Sequence, residues 1–386
     1  MRTVTDIDRS ERVRPVEAVH PLPEANPTRE PKSLHLRLPG YEPSRLVDAR
    51  ELAARLGLRQ LWVKDESSRM GLPAFKIMGA SWAIYRAIGA ALRERTGREI
   101  GPWATLEELA EQIAPLRPLT MTCATDGNHG RAVARMARLL GFSARILVPS
   151  DMALARIEAI ASEGAEVVRH DGTYDEAVAR SAREADERTL VISDTSWPGY
   201  EEVPHWVIEG YSTIFWEIED ELAALGEPQP DLIAVQIGVG ALAAAVVRHF
   251  RRAENSIRPF ILGVEPTRAA CALASIEAGE IVELPGPHDS IMAGLNCGIA
   301  SPVAWPLVSR GIDAFIAVED ERAWQAVRAL ADEGIVAGEC GAAGLAGLMT
   351  WQEAFGGDLG GKRALVIITE GATDPDAYRR IISSQI

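Results

Sequence analysis

The sequence predicts an α/β protein with two open, twisted, mostly parallel sheets, each flanked by helices, and a working site in the cleft between them. Three observations support this. Short apolar runs alternate with amphipathic segments of about ten to fifteen residues, the pattern of parallel strands joined by right-handed crossovers. The alternation forms two series joined by "WPGYEEVPHW", residues 197–206. Several of the runs end in polar or glycine-rich turns, at the strand ends where such sheets place their chemistry.

The first series reads "LTMTCAT", a helix from near Gly130, "SARILVPS", a helix through "ALARIEAIASEG", "AEVVRHDG", a helix through "YDEAVARSAREADE", and "TLVISDT". The second reads "DLIAVQIG", the helix "ALAAAVVRHFRR", "FILGVEP", a helix from Thr267, "DAFIAVED", a further helix, and "RALVIITEG". Ahead of both, the strand "LWVKDES" and the helix "GASWAIYRAIGAALRE" bracket Lys76. The expected division is a small unit at 89–199 and a large unit made of 1–88 and 200–386. Residues 1–40, rich in proline and charge, form an arm over the surface or over a partner.

The chain has 386 residues, 47% hydrophobic and 25% charged, the proportions of an ordinary globular protein. Its formal charge of −15 sets a repulsive mean field against nucleic acid. Cys123, Cys271, Cys297 and Cys340 are scattered, with no C-x-x-C pair to suggest zinc or a disulfide framework. The charged opening segment has no apolar stretch of the kind a secretory signal needs, and no run is long enough to span a bilayer. Cytoplasm, no metal, no membrane and no nucleic acid are the resulting expectations.

Four stretches carry chemistry. In "GLPAFKIMGA", Lys76 lies between Phe75 and Ile77 at a strand-to-helix joint. Partial desolvation there is expected to lower its pKa toward a nucleophilic amine, although a helix-start lysine with a packed stem gives the same string. In "QIGVGALAAAV", Gly238, Val239, Gly240, Ala241 and Leu242 pass from strand to helix and offer unpaired N–H groups to a phosphate. The same letters match G-x-G-x-x-A, and Glu265 follows Gly238 by 27 positions against about 20 in a dinucleotide fingerprint. In "CATDGNHGRAVA", Thr125, Asp126, Gly127, Asn128 and His129 cluster at a strand end; Asn128 suits a phenolate, the backbone a carboxylate, and Asp126 and Asn128 are also good turn and cap residues. Asp194 in "VISDTSWPGY" and Thr369 in "ITEGATD" end two further strands, and the Thr369 hydroxyl suits a ring nitrogen.

From about residue 30 onward the chain resembles the tryptophan-synthase-β-like, fold type II group of pyridoxal-phosphate enzymes, and within it the diaminopropionate ammonia-lyases. The resemblance rests on "FKIMGA", "ATDGNHGR", "DTSWPGYEEVPHWVIEGY", "IGVGALA", "MAGLNCG" and "TEGATD" in family order. It implies that Lys76 forms the imine with pyridoxal 5'-phosphate, with Phe75 beside it. Asn128 would meet the ring oxygen, residues 238–242 the phosphate, and Thr369 the pyridine nitrogen. Asp126 and Asp194 would be an acidic pair serving catalysis, with Thr125, Asp126, Gly127, His129 and Asp194 around a small amino-acid substrate. The expected reaction is α,β-elimination of 2,3-diaminopropionate, in both D and L forms, to pyruvate and two ammonia in a homodimer. Cys340, Ala132 and Ala372 depart from the family pattern, and the substrate is the expectation they touch.

A serine or threonine dehydratase, or a β-replacement enzyme, shares the fold and is the nearest alternative. A nicotinamide-dependent dehydrogenase using "GVGALA" is the alternative from another class. "DSIMAGLNCG" is expected to form a mobile wall of the cleft, with Cys271 and Cys297 flanking a loop as two thiols in a reducing cytosol.

Overall fold

The computed structural model describes residues 2–3, 9–150, 152–172, 174–355 and 359–383. Its strands are β1 (Arg2–Thr3), β2 (Arg12–Pro15), β3 (Arg45–Asp48), β4 (Gln60–Asp65), β5 (Thr120–Ala124), β6 (Ser143–Pro149) and β7 (Glu166–His170). They continue with β8 (Thr189–Val191), β9 (Leu232–Gln236), β10 (Phe260–Pro266), β11 (Val282–Glu283), β12 (Ala314–Val318) and β13 (Arg363–Ile368).

Seven strands form one sheet in the order β2-β12-β10-β9-β13-β4-β3, and four form a second in the order β7-β6-β5-β8. The second sheet is parallel throughout. In the first, the five inner strands are parallel and both edge strands antiparallel. β9 and β12 are buried at every position, which is why "LIAVQ" and "AFIAV" read as unbroken apolar runs rather than alternating ones. The helix Ala241–Phe250 that follows β9 is buried along its whole length, so the large sheet is covered on a face that water does not reach.

The two antiparallel edges were not legible in the sequence. β2 lies in the expected surface arm, yet it pairs with β12, with Pro15 opposite Ala314 at the sheet edge. "RVRP" has no apolar period because backbone hydrogen bonds, not side-chain burial, recruit it. The helix after β5 begins at Asn128 rather than near Gly130, and its N-cap is Gly127 with no side-chain cap, so neither Asp126 nor Asn128 caps it.

An ionic network is sealed beside β4 of the seven-stranded sheet. Glu217 accepts from Lys64 Nζ at 2.9 Å and from an Arg69 nitrogen at 2.6 Å, and Arg69 Nε lies 3.1 Å from Glu66. The side chains of all four are at most 1% exposed. Lys64 Nζ also donates to Ser44 O, and Tyr41 donates its hydroxyl to Glu217 at 2.7 Å, so the buried charges keep hydrogen-bond partners. No helix among the described residues is long and apolar enough to cross a membrane.

Candidate active site

The segments that follow β5 and β8 in one sheet and β9 and β13 in the other line one cleft, about 880 Å³ with its open mouth included. Every residue expected at the site lines it, among them Lys76, Asp126, Asp194 and Thr369.

Lys76 is the first residue of the helix Lys76–Thr96, with Phe75 as its N-cap. Its ammonium lies 2.6 Å from Asp194 Oδ2, three residues beyond the end of β8. This corrects the expected depression of the amine. Burial alone pushes Lys76 down, but Asp194 outweighs it, aided by Tyr211, and the amine sits above its ordinary range. For Asp194, burial pushes upward and is outweighed chiefly by the Lys76 ammonium, which holds the carboxyl below its ordinary range.

The loop bearing Asp194 is held from two sides. Tyr200 donates its hydroxyl to Val191 O at 2.7 Å and accepts from Ser193 N at 3.0 Å. Ser196 Oγ meets Ser301 Oγ at 2.9 Å, and Ser301 N donates to Val239 O at 2.8 Å, which ties the Asp194 loop to the glycine turn.

On the side of the smaller sheet, Thr125 turns its hydroxyl inward, where Oγ1 accepts from Gly127 N at 3.0 Å and Gly130 N at 3.1 Å. Gly127 has φ +137°, a conformation that a side chain would strain. His129 Nε2 lies 2.7 Å from Ile192 O, so that nitrogen carries the proton, and Nδ1 faces Asp194 at 3.9 Å. Burial keeps the His129 pKa below its usual value. Asn128 donates from Nδ2 to Glu370 Oε2 at 2.5 Å, across the cleft.

The turn after β9 has the form of an anion cradle. It opens the helix Ala241–Phe250, whose first N–H groups have no partner within the helix, and Gly240 adopts φ +100°. A Cβ on Gly238 would lie 3.1 Å from Gly294 O and 3.3 Å from Cys297 Sγ, so a side chain there would be tight against "DSIMAGLNCG". Glu265 is not at this cradle: it accepts from Ala272 N and Leu273 N, both at 2.8 Å, at the start of the next helix. The acidic residue required by the dinucleotide reading is therefore occupied elsewhere.

Opposite the cradle, Thr369 Oγ1 accepts from Gln236 Nε2 at 2.9 Å. The same amide nitrogen lies 3.0 Å from both Cys340 O and Ile367 O, so it must be the NH₂ end. The Thr369 hydroxyl donates to Cys340 O across a long 3.4 Å, a weak bond that a ring-nitrogen acceptor in the cleft could replace.

The sequence did not single out Gln236, Arg156, Glu370 or Tyr211. Gln236, Glu370 and Tyr211 lie inside the quoted motifs "QIGVGALAAAV", "ITEGATD" and "DTSWPGYEEVPHWVIEGY", and that membership was the available signal. Arg156 reaches the cleft from the helix Leu154–Ala161, its stem 3.5 Å from where a Cβ on Gly127 would sit. Tyr211 is fully buried against Phe75, with ring centroids 4.7 Å apart, and its phenol interacts with the Lys76 amine.

Residues 37–370 match the family model described as pyridoxal-phosphate dependent enzyme. Diaminopropionate ammonia-lyase of Salmonella typhimurium is 34% identical over 372 residues, covering 91% of this chain and 90% of that protein. The crystal structure of diaminopropionate ammonia lyase from Escherichia coli in complex with D-serine superposes with a TM-score of 0.85 at 31% identity, over 97% of each chain. The same enzyme in complex with an aminoacrylate-PLP azomethine reaction intermediate gives 0.82 at 30% identity, again over 97% of each. With its cradle, its cleft lysine and this likeness along nearly its whole length, the chain belongs to the family of pyridoxal-phosphate dependent enzymes.

Proposed function

We propose that this protein is a carbon–nitrogen lyase that converts 2,3-diaminopropionate, in D and L forms, into pyruvate and two ammonia. The observation that carries the reading is Lys76 in ion contact with one aspartate, Asp194, while a second, Asp126, lines the same cleft. The diaminopropionate ammonia-lyases that match along the chain support it.

Pyridoxal phosphate supplies an electron sink for the charge left when a Cα proton departs. The N–H groups at 238–242 would hold its phosphate, Asn128 its ring oxygen, Thr369 its ring nitrogen and Lys76 its aldehyde carbon. The Lys76 amine is also placed to take the Cα proton of one enantiomer. Because the amine acts only when it has lost its own proton, Asp194 sets the fraction that is competent. Asp126 takes the proton of the opposite enantiomer. Backbone N–H groups of the turn at 125–129 bind the substrate carboxylate. The second ammonium of the substrate is drawn to a cleft whose lining includes Asp126, Asp194 and Glu370, a charge complement that a hydroxy-amino acid does not need. In this reading 89–199 is the small unit facing 1–88 and 200–386, and the protein acts as a cytoplasmic homodimer.

The test is to incubate purified protein with each diaminopropionate isomer and with L-serine, and to count pyruvate and ammonia. Two ammonia per pyruvate from both isomers is expected, with Asp126→Asn losing one isomer selectively. Faster turnover of serine, releasing one ammonia per pyruvate, would move the protein to the dehydratases.

A further inference from the structure

We infer that Glu370 is a positioning residue for the cofactor, acting through Asn128. The inference rests on the reading above, in which Asn128 meets the ring oxygen.

Glu370 follows Thr369 directly after β13, lines the cleft, and is 4% exposed. One carboxylate oxygen, Oε2, accepts from Asn128 Nδ2; the other, Oε1, is buried with no hydrogen-bond partner among the described residues. No cation among the described residues lies within ion-pair distance of it. Arg156, itself in no ion pair there, is a cation whose pKa it helps to hold up against burial. A buried carboxylate with so few partners is costly unless it has a task.

Its position is fixed. Glu370 O accepts from Gly338 N at 3.0 Å. A Cβ on Gly341 would lie 2.4 Å from Glu370 O, and one on Gly338 would lie 3.0 Å from Oε1, so larger residues cannot fit behind it.

The chemistry follows from what a carboxylate can do. An ionised carboxylate only accepts, so Asn128 must turn its NH₂ toward Glu370. That group has two protons, one spent on Glu370 and the other left for an acceptor in the cleft. A neutral amide at position 370 offers a donor as readily as an acceptor, and Asn128 is then free to present its carbonyl, which repels a ring oxygen. The bond also spans the two sheets, because Asn128 opens the helix after β5 and Glu370 leaves β13. Glu370 therefore selects the amide orientation and links the two walls where the ring is held.

The experiment measures the dissociation constant of pyridoxal phosphate from full-length protein by fluorescence, for wild type, E370Q, N128A and the double variant. E370Q and N128A are each expected to weaken binding by about tenfold, the scale of a buried hydrogen bond left unmade. The double variant should bind no more weakly than N128A alone, because the two residues act as one unit. E370D keeps the charge but falls a methylene short, and is expected to follow E370Q. Thermal unfolding of the cofactor-free variants, expected near wild type, separates positioning from folding. N128A weakening with E370Q unchanged, effects that multiply in the double variant, or E370D binding as wild type would overturn the inference and leave the proposed reaction standing. N128A without effect would remove the ring-oxygen contact, and this inference with it.

Discussion

Lys76 and Asp194 hold each other ionised, so the residue that must act as a neutral amine rests as an ammonium. Removing the charge of Asp194 removes the largest influence holding that proton in place, and the amine pKa falls toward the value that burial favours. In the Asp194→Asn variant, cofactor-free protein mixed with pyridoxal phosphate should form the lysine-bound chromophore faster at neutral pH. Its pH profile should move to lower pH, with about ten times more competent amine for each pH unit by which the amine becomes more acidic. Stopped-flow absorbance between about pH 6 and 9 reads both, spanning the range over which a depressed lysine titrates. An unchanged profile would show that the pair does not govern the amine. Turnover should fall in the same variant, because the group that places the Lys76 nitrogen is gone.

At the scale of elements, the helix that begins at Lys76 is seated by a close crossing against the helix Glu202–Gly210. A Cβ on Gly79 would lie 2.6 Å from Tyr211 Cε1 and 2.8 Å from Val207 Cγ1; one on Gly210 would lie 2.5 Å from Met78 O. These glycines are needed for contact, because neither has a positive φ. Alanine in a helix normally gains about 1 kcal/mol over glycine. Gly79→Ala should reverse that sign and lose ~1–3 kcal/mol through overpacking, pressing Tyr211 toward Phe75 beside the Lys76 amine. Gly89→Ala in the same helix, where the nearest atom would be 3.6 Å away, should be neutral or stabilising. Urea midpoints of the two variants check the contrast, and equal shifts would remove the crossing as the cause.

Across the whole molecule, buried histidines and buried carboxyls pull the pH dependence of stability in opposite senses. His35 and His249 are fully buried; burial, the largest cause, lowers His35 to about 3 and His249 to about 4. His20 and His129 are shifted in the same sense. Each binds a proton in the unfolded chain below about pH 6.5 that the folded chain refuses, so its contribution is full above that pH and is lost as pH falls. Glu265 runs the other way, because burial raises it to about 7 and the folded form keeps a proton that the unfolded chain releases above about pH 4.5. Glu66, Glu221 and Glu339 are raised by burial in the same sense as Glu265, so between about pH 6.5 and 4.5 the two sets oppose one another, each full proton changing stability by about 1.4 kcal/mol per pH unit. Denaturant titrations across that window read the slope. Relative to wild type, His35→Gln should make the rise of stability with pH smaller by about one proton and Glu265→Gln should make it larger by about one, and no change in either variant would remove that group from the balance.

The sequence by itself determined the parallel α/β architecture and the strand ends where the site lies, because both follow from local period and turn chemistry. Lys76, Asn128, Asp194, Gly238 and Thr369 were legible for that reason: each adjoins a strand or turn that announces itself. Tertiary structure decided what those residues meet. Lys76 and Asp194 are 118 positions apart, and the upward shift of the amine exists only once they touch. Glu370 and Asn128 are 242 apart, and no period links them. The buried network around Glu217, the backbone-paired strand β2 and the glycine crossing at Gly79 share that character. Electrostatic and steric energies depend on distance in space, whereas a sequence displays only distance along the chain.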